Sequence, residues 1–368
     1  MTPTLTPDVD AESLRDVVRD FLARHGDAAA VLHDTPDAPG DRRRAWRRFA
    51  GELGAAALDL PERLGGAGAS FREVGVVAEE MGRSLARLPF LSTSVMALGL
   101  LADVGDDDLI ARLARGDETA AVAVLDADEP VSAERTPGDG WRVTGSKTLV
   151  VDGADADVLL VAAAGPEGPV VLAVEAGAAG VTAAPLRVLD PTRPLATVSC
   201  RGSRGRLLAG PEPAGGALDR MRDRTRAALA CEQTGGTAAA LEMSVRQACD
   251  RVQFGRPIAT FQAVKHRCAD MMVELEAARS ASLWAVACAA DEPANLHTAA
   301  TTAAFVCGRA YSWVAGENVQ VHGGTGFTWE HPAHLHVRRA ASSRTLPDGS
   351  AGGAGALLDA VPGVPGPS

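Results

Sequence analysis

The sequence predicts a multi-domain α+β protein with an N-terminal helical domain, a β-barrel or sandwich in the middle, and a C-terminal four-helix bundle. Three observations carry this expectation. With 368 residues the chain is long enough for two or three domains. Hydrophobic residues make up 46% and aromatics only 4%, so alanine supplies much of the apolar content and long, closely packed helices are favoured. Between two stretches of helical periodicity lies a series of short strand-like runs punctuated by Gly, Pro and Asp. The expected divisions are residues 1–118, 119–216 and 217–346, followed by a Gly/Pro-rich tail over 347–368.

In the first part, Leu14, Val17, Val18, Phe21 and Leu22 recur at helical spacing, and a second helix carries Trp46 and Phe49. Leu64-Gly65-Gly66-Ala67-Gly68 lacks the lysine and hydroxyl residue of a P-loop, so it reads as a plain turn before a helix from about Ser70 to Arg83. Further helices are expected over Phe90 to Val104 and Leu109 to Arg115. The middle part offers strands at Ala120 to Leu125, Trp141 to Thr144, Lys147 to Val151, Val158 to Ala163, Val170 to Val174 and Leu195 to Cys200, a spacing that suits a compact antiparallel barrel or sandwich. In the last part, Leu218 to Asp250 is one long helical pattern. Phe261, Val264, Cys268, Met271, Leu275 and Ala278 form a bundle-type seam, and helices from about Ala294 to Gln320 and Pro332 to Ser342 complete four.

A formal net charge of −11 argues against non-specific nucleic-acid binding, which needs a basic face. The six cysteines lie at least 18 residues apart, so no CxxC motif exists and a reduced compartment is expected. The N-terminus lacks a basic and apolar signal region, and no apolar run approaches the roughly 20 residues of a membrane span. A cytoplasmic protein without a membrane partner is the expectation. His331, His334 and His336 could be weighed as a metal cluster, but no acidic or cysteine ligand joins them at useful spacing. Surface or interface histidines are the default, and no metal is expected.

Two loops carry the chemistry. Arg251 lies where the first bundle helix ends. There it can either cap terminal carbonyls or bind a pyrophosphate with its guanidinium fork. Phe254 offers a flat apolar contact beside Gly255. The second loop, Gln320-Val321-His322-Gly323-Gly324-Thr325-Gly326-Phe327-Thr328-Trp329-Glu330, frees backbone amides and removes side chains, as a loop touching a cofactor needs. The string from Arg251 to Met271 resembles the bundle signature of the acyl-CoA dehydrogenase family, flavoenzymes that desaturate acyl thioesters, and the second loop resembles its companion. With weaker matches elsewhere, the resemblance covers roughly residues 10 to 345.

The resemblance implies FAD as cofactor, an acyl-CoA substrate and an electron-transfer flavoprotein as acceptor. In the family these two loops bind the adenosine-diphosphate half of an FAD held mainly by the neighbouring subunit. Arg251, Phe254, Gln320, Gly323 and Gly324 are therefore the expected cofactor contacts, in a homo- or hetero-oligomer, dimer or tetramer.

The segments that serve the flavin ring depart from the family pattern. The Thr/Ser-Glu-Pro-x-Ala-Gly-Ser-Asp segment is replaced by Ala121 to Pro130, and Trp-Ile-Thr/Ser reads Leu149-Val150-Val151. The family's base, a glutamate followed by Gly-Thr, has its nearest counterpart in Asp348. Its carboxylate is shorter by one methylene, and Asp348-Gly349 is equally a common turn pair. The alternative base position, before an arginine on the first bundle helix, holds Thr225. Glu232, in an Ala-Cys-Glu-Gln-Thr-Gly-Gly stretch resembling one subgroup, is a further candidate whose role could equally be structural. The expectation is an FAD-dependent acyl-CoA dehydrogenase family protein, and more sharply the subunit of a hetero-oligomer that completes the FAD site of a catalytic partner. Some such members act on bulky acyl chains, including steroid side chains. The alternatives are a self-sufficient homo-oligomeric enzyme using Asp348, or a scaffold without flavin.

Overall fold

The computed structural model describes residues 9–25, 32, 40–138 and 140–346. The N-terminal region contains α1 (Val9–His25), α2 (Asp41–Gly51) and α3 (Phe71–Ser84). A π-helix over Phe90–Leu98 then continues as α4 (Gly99–Val104), and α5 (Asp107–Ala114) follows. A capping box starts α3: Ser70 Oγ accepts from Arg72 N at 3.1 Å, and Glu73 Oε2 accepts from Ser70 N at 2.7 Å. Arg15 and Arg19 of α1 converge on the buried carboxylate of Glu80 and tie α1 to α3.

The middle region holds β1 (Ala120–Ala123), β2 (Ser132–Thr136), β3 (Gly140–Val151), β4 (Val158–Gly165), β5 (Gly168–Glu175), β6 (Val181–Pro185) and β7 (Leu195–Ala209). Pairings β4–β5, β5–β7, β7–β3, β3–β2 and β2–β4 close a barrel, with β1 parallel to β4 and β6 lying against β7. Alternation along β4 explains its unbroken apolar run. Leu159 and Val161 join one cluster with Val143, Leu172 and Val198, while Val158 and Leu160 join the core shared with the helices. Two strands were not signalled by the sequence. Ser132–Thr136 is polar with mostly exposed side chains, and Val181–Pro185 is short and half-exposed.

The C-terminal region comprises α6 (Pro211–Asp250), α7 (Gln262–Asp291), α8 (Leu296–His322) and α9 (Ala333–Ser343). The first of these starts seven residues earlier than its apolar pattern. Pro211 suits a first helical turn, and Gly215–Gly216 sit inside the helix instead of preceding it. Glycines set how closely α6 can be approached: a Cβ on Gly82 would overlap the Glu232 carbonyl, one on Gly235 the Glu79 carbonyl, and one on Gly236 the Tyr311 ring. The Ala-Cys-Glu-Gln-Thr-Gly-Gly stretch is thus first a packing seam.

Beside that seam four buried charges join the three regions. Arg339 of α9 donates to Ala86 O at 2.9 Å and lies 3.8 Å from both Asp190 and Glu232. Arg193 pairs with Glu232, while Asp190 accepts from Thr192 N at 2.9 Å and Ser342 Oγ at 2.6 Å. Burial alone would raise the Asp190 carboxyl, but Arg339 and Arg193 outweigh it and hold it below its ordinary value of 3.8.

Candidate functional site

Both glycine-bearing loops leave the same end of the bundle. Ser244 Oγ lies 2.8 Å from Asn318 Oδ1, so the last turns of α6 and α8 run side by side. Arg267 near the start of α7 pairs with Glu317 at 2.9 Å, bringing a third helix to that end.

The first loop is a hairpin of β8 (Val252–Gln253) and β9 (Arg256–Pro257). Its two turn residues, Phe254 and Gly255, have φ of 53° and 74°, the left-handed pair of a type I′ turn. A phenylalanine is a poor residue for that conformation, which favours Gly, Asn or Asp, and here its ring is 92% exposed. The ring edge meets Phe261 at 6.2 Å, and Arg256 stacks over the same Phe261 at 4.3 Å. Arg251 is the C-cap of α6. Its backbone donates to Gln247 O at 2.9 Å and accepts from Ile258 N at 2.8 Å. Its exposed side chain has no hydrogen bond or ion pair among the described residues, so the capping role is filled by the backbone alone. Arg246, Arg256 and Lys265 are also exposed at this end without a carboxylate partner among the described residues. A chain of net charge −11 thus presents unpaired cations here.

The second loop begins at the exposed Gln320 on the last turn of α8. Gly323 has φ 62° and ψ −137°, a region only glycine enters readily. Gly324 differs, because it needs no such freedom and an added Cβ would meet nothing within 4 Å. The chain's own packing does not demand a glycine there. It leaves room for something outside the chain. Phe327 and Trp329 follow, 69% and 66% exposed, with Arg338 stacked over Trp329 at 4.3 Å. Phe261 and Trp329 lie in the two strings singled out in the sequence, whereas Arg256 carries no signal of its own. That Arg256 stacks on Phe261 and Arg338 on Trp329 shows only in three dimensions.

The counterpart of the flavin-ring site is closed. Leu125, Leu149, Val151 and Thr225 converge, and with Leu91 and Leu346 they line a cavity of only about 10 Å³. A second void of about 20 Å³ lies between Val151, Asp152, Arg193, Glu232 and Arg339. Small-molecule sites occupy roughly 300–1,000 Å³, so neither void admits a flavin ring. The backbone of the ring-facing segment is nonetheless irregular. Leu149 and Asp152 have φ of 52° and 54°, and the β3–β7 register shifts between Lys147 and Val150. Asp152 is fixed by Arg42 at 2.9 Å and Ser92 at 2.7 Å. Thr225 spends its hydroxyl on Met221 O of its own helix, at 2.7 Å. Glu232 is engaged by Arg193 and Arg339, an environment that fits a structural role. Asp348 lies outside the described residues.

His336 departs from the surface expectation. It is buried, accepts from or donates to the Tyr311 hydroxyl at 2.9 Å, and burial pushes its pKa down to about 4. His331 packs against His322 with ring centroids 4.3 Å apart and the planes tilted. Among the described residues no three His, Cys, Asp or Glu side chains group as metal ligands. No described helix is long and apolar enough to cross a membrane. A cleft of about 710 Å³ lies between α1, α3, α6 and α7, away from both loops. Its arginines are occupied by carboxylates, as in Arg72–Asp291, Arg15–Glu79 and Arg83–Glu242.

The FAD implied by the resemblance therefore fits this chain at one end only. The bundle end offers unpaired guanidinium groups, an exposed ring and an open glycine, whereas the voids beside Leu149 and Val151 measure only about 10 and 20 Å³.

Comparison with known proteins agrees with the architecture. Residues 8–116 match the acyl-CoA dehydrogenase N-terminal domain model and residues 218–351 the C-terminal domain model. Acyl-CoA dehydrogenase IpdE2 of Mycobacterium tuberculosis is 35% identical over 343 residues, covering 93% of this chain and 94% of that protein. The ChsE4–ChsE5 complex of M. tuberculosis contains a chain that superposes with a TM-score of 0.81 at 30% identity, covering 93% of this chain and 94% of that one. A variant of the steroid ACAD Tcur3481–Tcur3483 gives a TM-score of 0.84 at 29% identity, over 95% and 97% of the two chains. The chain belongs to the acyl-CoA dehydrogenase family, FAD-binding oxidoreductases of acyl-CoA thioesters.

Proposed function

We propose that this chain is the subunit of a hetero-oligomeric acyl-CoA dehydrogenase that completes its partner's FAD site. Arg251 and Phe254, with Gln320, Gly323 and Gly324, hold the adenosine-diphosphate end of an FAD whose ring lies in a homologous partner chain. One contrast carries this reading: the nucleotide-facing loops are exposed and unpaired, while the voids beside Leu149, Val151 and Glu232 measure about 10 and 20 Å³. The bound flavin supplies the hydride acceptor for α,β-desaturation of an acyl-CoA. This chain's residues contribute binding and orientation at the nucleotide end. Support for a pair of unlike chains comes from ChsE4–ChsE5 and Tcur3481–Tcur3483, whose names each join two proteins. The Tcur pair is described as a steroid ACAD, so an acyl-CoA with a bulky, steroid-like acyl group is the substrate class proposed. An electron-transfer flavoprotein is the proposed acceptor and the cytoplasm the proposed location.

The test is the visible spectrum of the chain purified alone and again after co-expression with a ring-site-bearing family member from the same genome. Alone it is expected to be colourless, and with its partner to carry one FAD per pair. A full flavin spectrum from the chain alone, bleached by an acyl-CoA, would overturn the proposal. A colourless pair would instead point to a scaffold.

A further inference from the structure

We propose that Asn318 is a positioning residue that keeps the two nucleotide-facing loops in register. Its side chain meets Ser244 and its backbone carbonyl meets His322, and the inference rests on the reading that both loops meet FAD. Asn318 and Ser244 are fully buried where α6 and α8 run side by side, 2.8 Å apart from Oδ1 to Oγ. Six residues after Ser244 the first helix ends and gives way to the Arg251–Phe254 hairpin. Four residues after Asn318 the other helix ends at His322, whose Nδ1 lies 2.8 Å from the backbone carbonyl of Asn318. His322 in turn packs on His331 at 4.3 Å, and His331 Nδ1 accepts from the first residue of α9, Ala333 N, at 3.2 Å. One continuous line of contacts therefore runs from the base of one loop, through Asn318, around the base of the other.

The amide is an expensive choice for this place. Asn318 Nδ2 is buried without a partner. Ser244 has one hydroxyl proton, which can go to Asn318 Oδ1 or to Ala240 O at 2.9 Å. With the amide turned over, Nδ2 donates to Ser244 Oγ, the hydroxyl serves Ala240, and Oδ1 becomes the orphan. Either way one polar atom stays unsatisfied in a fully buried site, where a leucine of similar size would leave none. The geometry accounts for the asparagine by what it joins: it fixes the azimuth of the two helix ends that carry Arg251 and Gly323, groups that must reach one ligand together. Ion pairs such as Arg267–Glu317 brace the same end from the surface but touch neither loop.

Backbone hydrogen exchange of the full-length chain, without partner or FAD, tests the coupling. Asn318→Ala and Ser244→Ala are each expected to speed exchange about tenfold at both 252–258 and 323–327, the scale of one buried hydrogen bond. Exchange in α3 and the barrel should stay unchanged. The double variant should exceed either single by no more than about twofold, because both remove the same link. In the co-purified pair, FAD should dissociate about tenfold faster at unchanged affinity between the chains. Exchange that rises in one loop only, in neither, or additively in the double variant overturns the proposal. Should Asn318→Ala not fold, Ser244→Ala with the flavin dissociation rate carries the same test. Arg251→Ala in the pair separates the two claims. If it too leaves FAD bound, the FAD reading fails. If it releases FAD while Asn318→Ala and Ser244→Ala do not, positioning alone fails.

Discussion

Replacing Phe254 by glycine separates what the first loop does for the chain from what it does for a ligand. An aromatic side chain buries about 150–250 Å² when enclosed. At 92% exposure Phe254 hides less than a tenth of that, some ~15–20 Å², or ~0.5 kcal/mol at about 25 cal/mol per Å². Its edge contact with Phe261, at 6.2 Å, adds at most a similar amount at so open a site. Against these losses stands its backbone. A non-glycine residue in the left-handed region costs about 1–2 kcal/mol, which glycine relieves, less about 0.5–1 kcal/mol for the freedom glycine gains when unfolded. The terms nearly cancel, so stability should stay within about 1 kcal/mol of wild type, measured by urea unfolding of the isolated chain. Flavin binding should change far more. An aromatic anchor at the centre of an interface is worth about 2 kcal/mol or more, so FAD should be held at least about 30-fold more weakly in the pair. Destabilisation of the isolated chain by more than about 2 kcal/mol with FAD affinity intact would refute the reasoning, because the ring would then serve the fold.

Other consequences are equally concrete. Gly235→Ala, which drives a Cβ into the Glu79 carbonyl, should cost at least about 3 kcal/mol in urea unfolding, since neither backbone can yield locally. Arg339→Leu leaves Asp190 and Glu232 short of a buried partner and should cost about 3–5 kcal/mol. The Asp190 pKa is depressed in the folded chain, so its contribution is present above the ordinary carboxylate value of 3.8 and is lost in more acidic solution. Without Arg339, burial gains weight and the acid-unfolding midpoint should move to higher pH. His336, held neutral with a pKa of about 4 against an ordinary 6.5, makes the folded chain lose stability as pH falls from 6.5 towards 4. His336→Gln should flatten stability across that window, read as melting temperature against pH.

Legibility in the sequence followed the physical range of each signal. The long helices and the apolar strands announce themselves through period and composition, and the hairpin string from Arg251 is local enough to be read directly. Ser132–Thr136 was invisible because it owes its strand state to pairing with β3, not to its own side chains. The π-helix at Phe90–Leu98 keeps the apolar spacing of an ordinary helix well enough to hide the wider turn. The sequence assigns Pro211 to Gly216 to the end of the middle domain, because two prolines and two glycines dominate it, yet packing beneath Ala214 and Ala217 extends the helix through them. At the site, the tryptophan replaced by Leu149 and the hydroxyl residue replaced by Val151 are plain in the sequence. That their side chains close the space, and that Glu232 is committed to Arg193 and Arg339, depends on residues tens to hundreds of positions apart. The burial of His336 beneath Tyr311 belongs to the same class.

The central claim is that this chain holds FAD for a neighbour. It is tested most directly by placing Arg251→Ala in this chain alone, co-purifying it with an unaltered partner, and measuring flavin per pair. The expected result is a pair that still assembles but has lost most of its FAD, although every ring-facing residue of the partner is intact. A pair that retains its full flavin complement and its acyl-CoA-dependent bleaching would contradict it.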